Sequence, residues 1–261
     1  MKPMLSFFAA ASLVAALGTA SLASAQNISS QDMKPALEQL LRENPEVLLD
    51  FLHTHSETLL DIVQEGSDKR RMANMEKQWA EDAKVKKTVA VKDRPRVGKS
   101  DAKVQIVAFS DFTCQFCTRA EKTVEELLNE FSGKVSFVFK NMPLEPEGLS
   151  GLASQYFVAI SLIDENMAWK FYKTLFHEHE KLLLDNEKFL RDTAMAIGVD
   201  MKKLDSVRRG KQVKAILEED LKDSEKLELE GTPCFLVNNL VIRGAVSKEI
   251  FRRAIEIELA R

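Results

Sequence analysis

The sequence has no marked excess of either charge, and it contains few cysteines. Its 37 lysine and arginine residues nearly balance 40 aspartate and glutamate residues, which gives a formal net charge of −3. This balance argues against nucleic acid as a partner, because domains that bind nucleic acid usually carry a basic patch. Only three of the 261 residues are cysteines. An odd and small number of cysteines does not fit a rigid framework of structural disulfides.

Long apolar runs are also scarce, and the clearest one lies at the amino terminus. It extends from Leu5 to Leu22, follows Lys2, and ends at the small residues 23–25. A membrane anchor would be longer, whereas a basic start, a short apolar run and a small-residue site are typical of a cleaved secretory signal. We therefore expect residues 1–25 to be a signal peptide. The mature protein should then lie in the periplasm, where disulfides persist.

The following segment, residues 26–87, has the pattern of helices. Asn44-Pro45-Glu46 supplies an N-cap, a proline at the first helical position and an acid in the first turn. Gly66 and Ser67 predict a break before a charged helix. The apolar residues occupy more faces than one helix pair can bury, and the segment is too short for its own core. It either packs on the next domain or, as we favour, pairs with other subunits in a homodimer or homotrimer.

An α/β pattern begins after a linker-like stretch at residues 88–100. Residues 104–109 form an apolar run typical of a buried strand, and residues 135–139 form a second one. Between them, the spacing of apolar residues from Cys117 to Phe131 is helical. A strand, a helix and a strand joined by short loops predict a parallel pair of strands.

The second half of this region is mostly helical and ends in a hairpin. Residues from about 148 to 229 form a helical insertion. The apolar runs 235–237 and 240–242 then flank Asn238-Asn239, a pair typical of a two-residue hairpin turn. Ser247 is placed to cap a final amphipathic helix. We therefore expect a single α/β domain.

Three stretches of this domain resemble the DsbA-like form of the thioredoxin fold. They are Phe-Ser-Asp-Phe-Thr-Cys-Gln-Phe-Cys at residues 109–117, Trp-Lys-Phe-Tyr-Lys-Thr-Leu-Phe at 169–176, and Gly-Thr-Pro-Cys-Phe-Leu-Val-Asn at 231–238. The resemblance extends over about residues 95–261, and the helical extension resembles that of oligomeric, ScsC-like members. It implies an α/β thioredoxin-like domain at residues 101–261 with an inserted helical domain, preceded by a small helical oligomerisation segment.

The candidate catalytic residues are Cys114 and Cys117. A thiol attacks as its thiolate, which is stabilised at a helix amino terminus by unpaired N–H groups and the helix dipole. Cys114 is therefore the predicted nucleophile, and Cys117, one turn deeper, is the predicted resolving residue. Half of a zinc site is the alternative, but such a site needs two further Cys or His ligands, and the sequence has no second Cys-x-x-Cys. We expect neither a metal nor a cofactor.

The resemblance implies further roles near these cysteines. It implies a cis bond between Thr232 and Pro233, with the backbone of Thr232 binding an extended substrate. Many relatives carry a buried glutamate where this chain has Ala108, so either another group or water accepts the proton of Cys117 here, or proton transfer at Cys117 is slower. Cys234 is either a packed, inert thiol or a modulator, as an alternative disulfide partner or a third ligand for Cu(I).

Three hypotheses for the function follow. The favoured one is an enzyme that exchanges disulfides in unfolded or misoxidised exported proteins and works with a membrane redox partner. The extension at residues 26–87 and Thr232 favour an oligomeric isomerase or reductase over a DsbA-type oxidase. The second hypothesis is a periplasmic Cu(I)-binding protein that uses Cys114, Cys117 and Cys234. In the third, the extension is the functional part and the domain is a spacer.

Overall fold

The computed structural model describes residues 30–261, which divide into two units at Ser67 and Asp68. The predicted signal peptide at residues 1–25 lies outside the described residues. Helices α1 (Ser30–Glu43) and α2 (Pro45–Thr54) belong to the first unit, and Pro45 opens α2 as predicted. Of the side chains in this unit whose burial is described, none is buried.

The third helix begins earlier than the sequence predicts. Helix α3 (Ser56–Asp82) runs through Gly66 and Ser67, so the predicted break at these residues is wrong. The helices are instead interrupted at His55. A single glycine costs a helix only about 1 kcal/mol relative to alanine, which a helix of 27 residues tolerates.

The second unit is built on a five-stranded mixed sheet. Strands β2 (Val104–Ser110) and β3 (Val135–Asn141) are parallel, as predicted, and the other neighbouring strands are antiparallel. Helix α4 (Gln115–Glu130) connects the two parallel strands. In spatial order the strands are β1 (Arg96–Val97), β3 (Val135–Asn141), β2 (Val104–Ser110), β4 (Cys234–Val237) and β5 (Leu240–Arg243).

Both faces of the sheet are covered, which explains the unbroken apolar runs in its central strands. Successive side chains of a strand point to opposite faces. In β2, Ile106 and Ala108 therefore face the main core, whereas Val107 and Phe109 face a second, smaller cluster. This alternation decides which side chains of β2 lie in the same core as the buried residues of α4.

Five helices fill the insertion between β3 and β4, which confirms the predicted fold class. The hairpin is also confirmed, since Val237 pairs with Leu240 and Asn238 has a positive φ of 50°. Within residues 30–261, no helix combines the length and apolar character needed to cross a bilayer. The remaining helices are α5 (Leu149–Ile163), α6 (Glu165–His177), α7 (His179–Ala196), α8 (Met201–Arg208), α9 (Lys211–Lys226) and α10 (Lys248–Ala260).

The stretch at residues 88–100, expected to be a linker, is held in the second unit by buried charges. The Lys140 ammonium donates hydrogen bonds to the Ala90 carbonyl at 2.7 Å and to Asp223 at 2.6 Å. The Arg94 guanidinium donates to Asp220 at 2.7 Å. Lys140 and Asp220 are both fully buried. These charges have no partner in the local sequence, so the sequence alone could not reveal that they meet.

The carboxyl end of α3 also belongs to the second unit. The indole of Trp79 is 1% exposed, and its Nε1 donates to the Val241 carbonyl at 2.9 Å. The Val241 N–H in turn donates to the Asp82 carboxylate at 3.2 Å. The folded unit therefore begins near Asp68, earlier than the domain expected at residues 101–261.

Candidate functional site

Cys114 lies where β2 has ended and α4 begins. It is the N-cap residue of α4, with extended backbone angles (φ −84°, ψ 118°), and its side chain is half-buried. Its carbonyl accepts hydrogen bonds from the N–H groups of Cys117 and Thr118 at 3.0 and 3.2 Å. Its thiol donates to the Thr232 carbonyl at 3.6 Å. The candidate nucleophile thus meets the first turn of a helix and the loop before β4.

The Thr232-Pro233 peptide bond is cis, as the resemblance implies. Pro233 is buried, whereas Thr232 is half-buried. The structure therefore brings Thr232 beside Cys114, although the two residues are 118 positions apart in the sequence.

Cys117 is buried behind Cys114. Burial raises the pKa of its thiol to about 12, and the nearby Cys114 adds to this rise. The hydroxyls of Ser110 and Thr232 and the backbone of Asp111 oppose the rise by hydrogen bonding to the thiolate. The buried Thr232 Oγ1 has no other hydrogen-bond partner. That hydroxyl is therefore placed to donate when Cys117 ionises.

Asp111 organises the turn before Cys114, a role that the sequence analysis missed. Its carboxylate is fully buried and accepts from the Thr113 N–H at 2.8 Å and the Thr113 hydroxyl at 2.9 Å. It also accepts from the Leu144 N–H at 2.9 Å and the Ser150 hydroxyl at 2.6 Å. One side chain thus connects the turn before Cys114, the catalytic turn, to the loop after β3 and to the start of α5. The sequence signal for this role was an aspartate three residues before Cys114, a residue type that often accepts hydrogen bonds from the backbone of a turn.

Phe116, between the two cysteines, is the exposed apolar residue of the site. Its side chain is 54% exposed. The Arg119 guanidinium lies over its ring, with Cζ 4.5 Å from the ring centroid. This cation–π contact holds an apolar surface beside Cys114, where a substrate side chain can pack.

Cys234 does not join the other two cysteines. Cys114 and Cys117 contact the main core, whereas Cys234 lies in the smaller cluster on the opposite face of the sheet. Its thiol donates to the Gly231 carbonyl at 3.1 Å, and burial raises its pKa. This placement favours the packed, inert thiol of the two roles considered, because three sulfurs on two faces do not line one copper site.

The Ala108 side chain lies on the face of the sheet that packs in the main core, where Cys117 of α4 also lies. A methyl group neither accepts nor donates a proton, so the sheet side of Cys117 has no acid or base at this position. Within residues 30–261, no three His, Cys, Asp or Glu side chains form a group suited to a metal ion.

Comparison with known families and proteins identifies the second unit. A family model described as Thioredoxin matches residues 90–257. The chain belongs to this thioredoxin family. A probable disulfide bond formation protein D of Bacillus cereus is 29% identical over 171 residues, which cover 59% of this chain and 77% of that protein. Na(+)/H(+) antiporter NhaA 1 of Mycolicibacterium vanbaalenii is 27% identical over 171 residues. This match covers 63% of this chain but only 26% of the antiporter.

Solved structures share the fold of this unit. The catalytic domain of Proteus mirabilis ScsC is 25% identical with a TM-score of 0.56, covering 65% of this chain and 90% of that one. ScsC of the same organism in a transitional conformation covers 89% of this chain and 99% of its own, at 21% identity and a TM-score of 0.58. BdbD of Bacillus subtilis is 23% identical with a TM-score of 0.59, and the match covers 68% of this chain and 98% of BdbD.

These likenesses confirm the predicted DsbA-like family and thioredoxin-like fold. The domain at residues 90–257 is a thiol-disulfide oxidoreductase domain of the DsbA and ScsC type.

Proposed function

We propose that this thioredoxin-family protein exchanges disulfides in exported proteins through Cys114 and Cys117. The observation that carries the proposal is the half-exposed Cys114 sulfur, 3.6 Å from the Thr232 carbonyl at a helix amino terminus, with Cys117 buried behind it. The Cys114 thiolate attacks one sulfur of a substrate disulfide and releases the other as a thiolate. Cys117 then attacks the Cys114 sulfur, which closes the Cys114–Cys117 disulfide and releases the second substrate thiolate.

Unfolded or misoxidised proteins fit this site as substrates. The backbone of Thr232 borders the Cys114 sulfur and is half-buried, so an extended chain can pair with it beside the reacting atoms. Pro233 fixes the neighbouring backbone, and Phe116 offers an apolar surface. Folded proteins cannot present an extended segment of this kind without local unfolding.

The proposed location is the periplasm, and the proposed redox partner is a membrane protein. The apolar run within residues 1–25 supports export. A disulfide exchanger that turns over also needs a second protein to reset its cysteine pair. A relative named for disulfide bond formation is consistent with an exported protein, because disulfides persist in oxidising compartments outside the cytosol.

The first unit supports a homodimer or homotrimer. Many of its large apolar side chains are exposed within the unit, including Leu48 on α2 and Leu60 on α3. Burying one such side chain stabilises an assembly by about 1.5–3 kcal/mol, so several together suffice to hold subunits. The same segment of another subunit presents the matching apolar surface. The other large exposed apolar residues of the unit are Leu37, Leu40, Val47, Leu49, Phe51, Ile62 and Val63.

An oligomer favours isomerase or reductase activity over oxidase activity. Several active sites around one space can hold a misoxidised substrate while its disulfides are rearranged. A DsbA-type oxidase remains the alternative direction. No histidine lies between the cysteines, where Gln115 and Phe116 stand instead, so a group that would favour a strongly oxidising pair is missing there.

Reactivation of ribonuclease with scrambled disulfides tests this proposal. The mature chain should reactivate it, Cys114→Ser should abolish the activity, and Cys234→Ser, the matched control, should retain it. A variant that lacks residues 26–67 but keeps Trp79 should be monomeric and lose isomerase activity. Rapid oxidation of reduced ribonuclease without any reactivation would instead identify an oxidase. Inactivity in both assays would refute the proposal.

A further inference from the structure

The outer face of α4 next to Cys114 carries a cation and an apolar ring. Phe116 and Arg119 lie three positions apart, so their side chains share one face of the helix. Both residues are exposed, whereas Cys117 and Ala120 are buried. A surface that is both apolar and positively charged therefore begins just beyond the candidate nucleophile.

The contact with Phe116 holds the Arg119 guanidinium towards the start of the helix. A helix rises about 1.5 Å per residue, so the Arg119 backbone lies about 7.5 Å along the axis from Cys114. Helical side chains lean towards the amino terminus of their helix. The Arg119 Cζ accordingly lies 4.5 Å from the centroid of the Phe116 ring. The charge is thus held over a residue only two positions after the nucleophile.

The Arg119 guanidinium has no carboxylate on its own helix face. The helical neighbours that face it lie three and four positions away, at residues 115, 116, 122 and 123, and none of them is acidic. Glu121 is only two positions away and therefore does not face it. Among the residues that the structure describes, Arg119 forms no ion pair. A carboxylate from another molecule can therefore bind there without displacing one from this chain.

The acids of α4 lie further along the helix and bind cations of other helices. Glu125 binds Lys173 of α6 at 2.6 Å, and Glu130 binds Arg252 of α10 at 2.6 Å. The first turn of α4 contains no acid, and the helix dipole adds to the positive charge there. The α4 side of the candidate site is thus complementary to a negative group.

We propose that Arg119 is a specificity-determining residue, which selects substrates with an acidic side chain next to the reacting cysteine. This inference rests on the proposed disulfide exchange. The aliphatic part of a glutamate side chain packs on the Phe116 ring, and its carboxylate binds the guanidinium. The substrate disulfide is then held beside the Cys114 sulfur that attacks it. The preferred substrates are acidic segments of unfolded or misoxidised proteins.

The expected preference is moderate, because the guanidinium is exposed to solvent. An exposed ion pair changes an equilibrium by up to about fivefold. Charge complementarity at a surface acts mainly on the rate of association, and added salt weakens it. The preference should therefore appear in the second-order rate constant of the first exchange and disappear at high salt.

Peptide disulfides of defined charge would test this preference on the reduced mature chain. The peptides are capped Ala-Xaa-Cys-Ala and Ala-Cys-Xaa-Ala, with glutamate, glutamine or lysine as Xaa, used as disulfide-linked dimers. Alkylation and mass spectrometry follow the loss of the Cys114 thiol. Neighbouring charge also alters the intrinsic reactivity of a peptide cysteine. The decisive quantity is therefore the glutamate-to-lysine rate ratio of the wild type, divided by that of Arg119→Gln.

This quotient should be about three or more at low salt in at least one of the two peptide series, and it should approach one at high salt. Phe116→Ala should lower the glutamate-to-lysine ratio, because the guanidinium loses the ring that holds it. Lys122→Gln is the matched control for Arg119→Gln. It removes the same charge from an exposed position of α4 about one turn further from Cys114, and it should keep the ratio.

Equal rate ratios in the wild type and Arg119→Gln would overturn the proposal. An equal loss in Lys122→Gln would also overturn it, because the preference would then come from the general charge of the helix. An unchanged ratio in Phe116→Ala would overturn the role of the ring. Failure of every peptide to oxidise the wild-type cysteines would instead overturn the proposed function itself.

Discussion

The two units of the chain are both rich in helices, yet they differ in how those helices are stabilised. In the first unit, residues 30–67, no side chain whose burial is described is buried. In the second unit, residues 68–261, both faces of a sheet are covered and even charged side chains such as Lys140 are fully buried. A helical pattern is therefore set by neighbouring residues, whereas the stability of a helix depends on the apolar surface that it buries against other elements.

Helix α3 shows this difference within one element. Leu60, in its first half, is 68% exposed, whereas Trp79, near its end, is 1% exposed. Both residues occupy a regular helix. We expect the second unit to be stable through its own contacts and the first to depend on other subunits.

The largest effect is expected from the buried charges of the second unit. Asp220→Ala should lower the free energy of unfolding by about 4 kcal/mol, because Lys140 and Arg94 lose a buried counter-charge and the Asn141 N–H loses its acceptor. Urea denaturation would measure it. Asp192→Ala, which breaks the exposed pair with Lys188, should leave the free energy of unfolding almost unchanged. Equal effects would contradict the contrast between buried and exposed charges.

The next largest effect is expected at Trp79. Trp79→Ala should lower the free energy of unfolding of the second unit by about 3 kcal/mol, through a cavity and an unpaired Val241 carbonyl. Leu60→Ala on the same helix is the control and should leave that unfolding unchanged within about 0.5 kcal/mol. A small effect at Trp79 would place the boundary of the folded unit beyond α3.

A smaller effect is expected at the catalytic turn. Asp111→Ala should cost about 2 kcal/mol, because four hydrogen bonds lose their acceptor and buried donors are left unpaired. Ser150→Ala removes one of these bonds and should cost less. Thermal denaturation would rank the variants. Equal stability of Asp111→Ala and the wild type would show that the carboxylate does not fix the turn.

In the first unit, substitutions should change assembly rather than folding. Leu48→Asp and Phe51→Asp place charge on exposed apolar positions of α2 and should convert the oligomer to monomer in light scattering. The unfolding of the second unit should be unaffected. Asp50→Asn on the same helix is the control and should leave the mass unchanged. Monomeric wild-type protein would refute the proposed assembly.

The smallest effect is expected from an exposed carboxylate of the second unit. Hydrogen bonds from Arg252 and Lys248 lower the pKa of Glu130 to about 2. A lowered pKa stabilises the fold above the ordinary value near 4.5, and this contribution is lost as the pH falls towards 2. The melting temperature should therefore fall slightly less between pH 5 and pH 2 in Glu130→Gln than in the wild type. An unchanged slope would show that solvent screens these contacts completely.

Many elements of the fold could be predicted because their signals are local. The turn at Asn238 and the proline that opens α2 depend on a few adjacent residues, and both appear as predicted. The break expected at Gly66 was wrong because one glycine perturbs a long helix only slightly. The contacts of residues 88–97 were missed because their partners are distant in the sequence: Lys140 is 50 positions from Ala90, and Asp220 is 126 positions from Arg94.

The candidate site divides in the same way. The Cys-x-x-Cys motif and its place at a helix start are sequence features, since a capping position and helical spacing are set by neighbouring residues. The face on which Cys234 lies could not be read, because the central strands are apolar on both sides and lack a polar alternation. The partners of Asp111 were equally hidden, because Leu144 and Ser150 lie on elements distant in the sequence.

The sequence by itself determined the α/β class, the cysteine pair and the turn residues, because propensity, capping and short-range spacing act between neighbours. Only the tertiary structure decided that Trp79 belongs to the second unit and that Cys234 lies apart from Cys117. These facts depend on strand pairing and helix packing across long separations, where burial rather than local preference selects the partners.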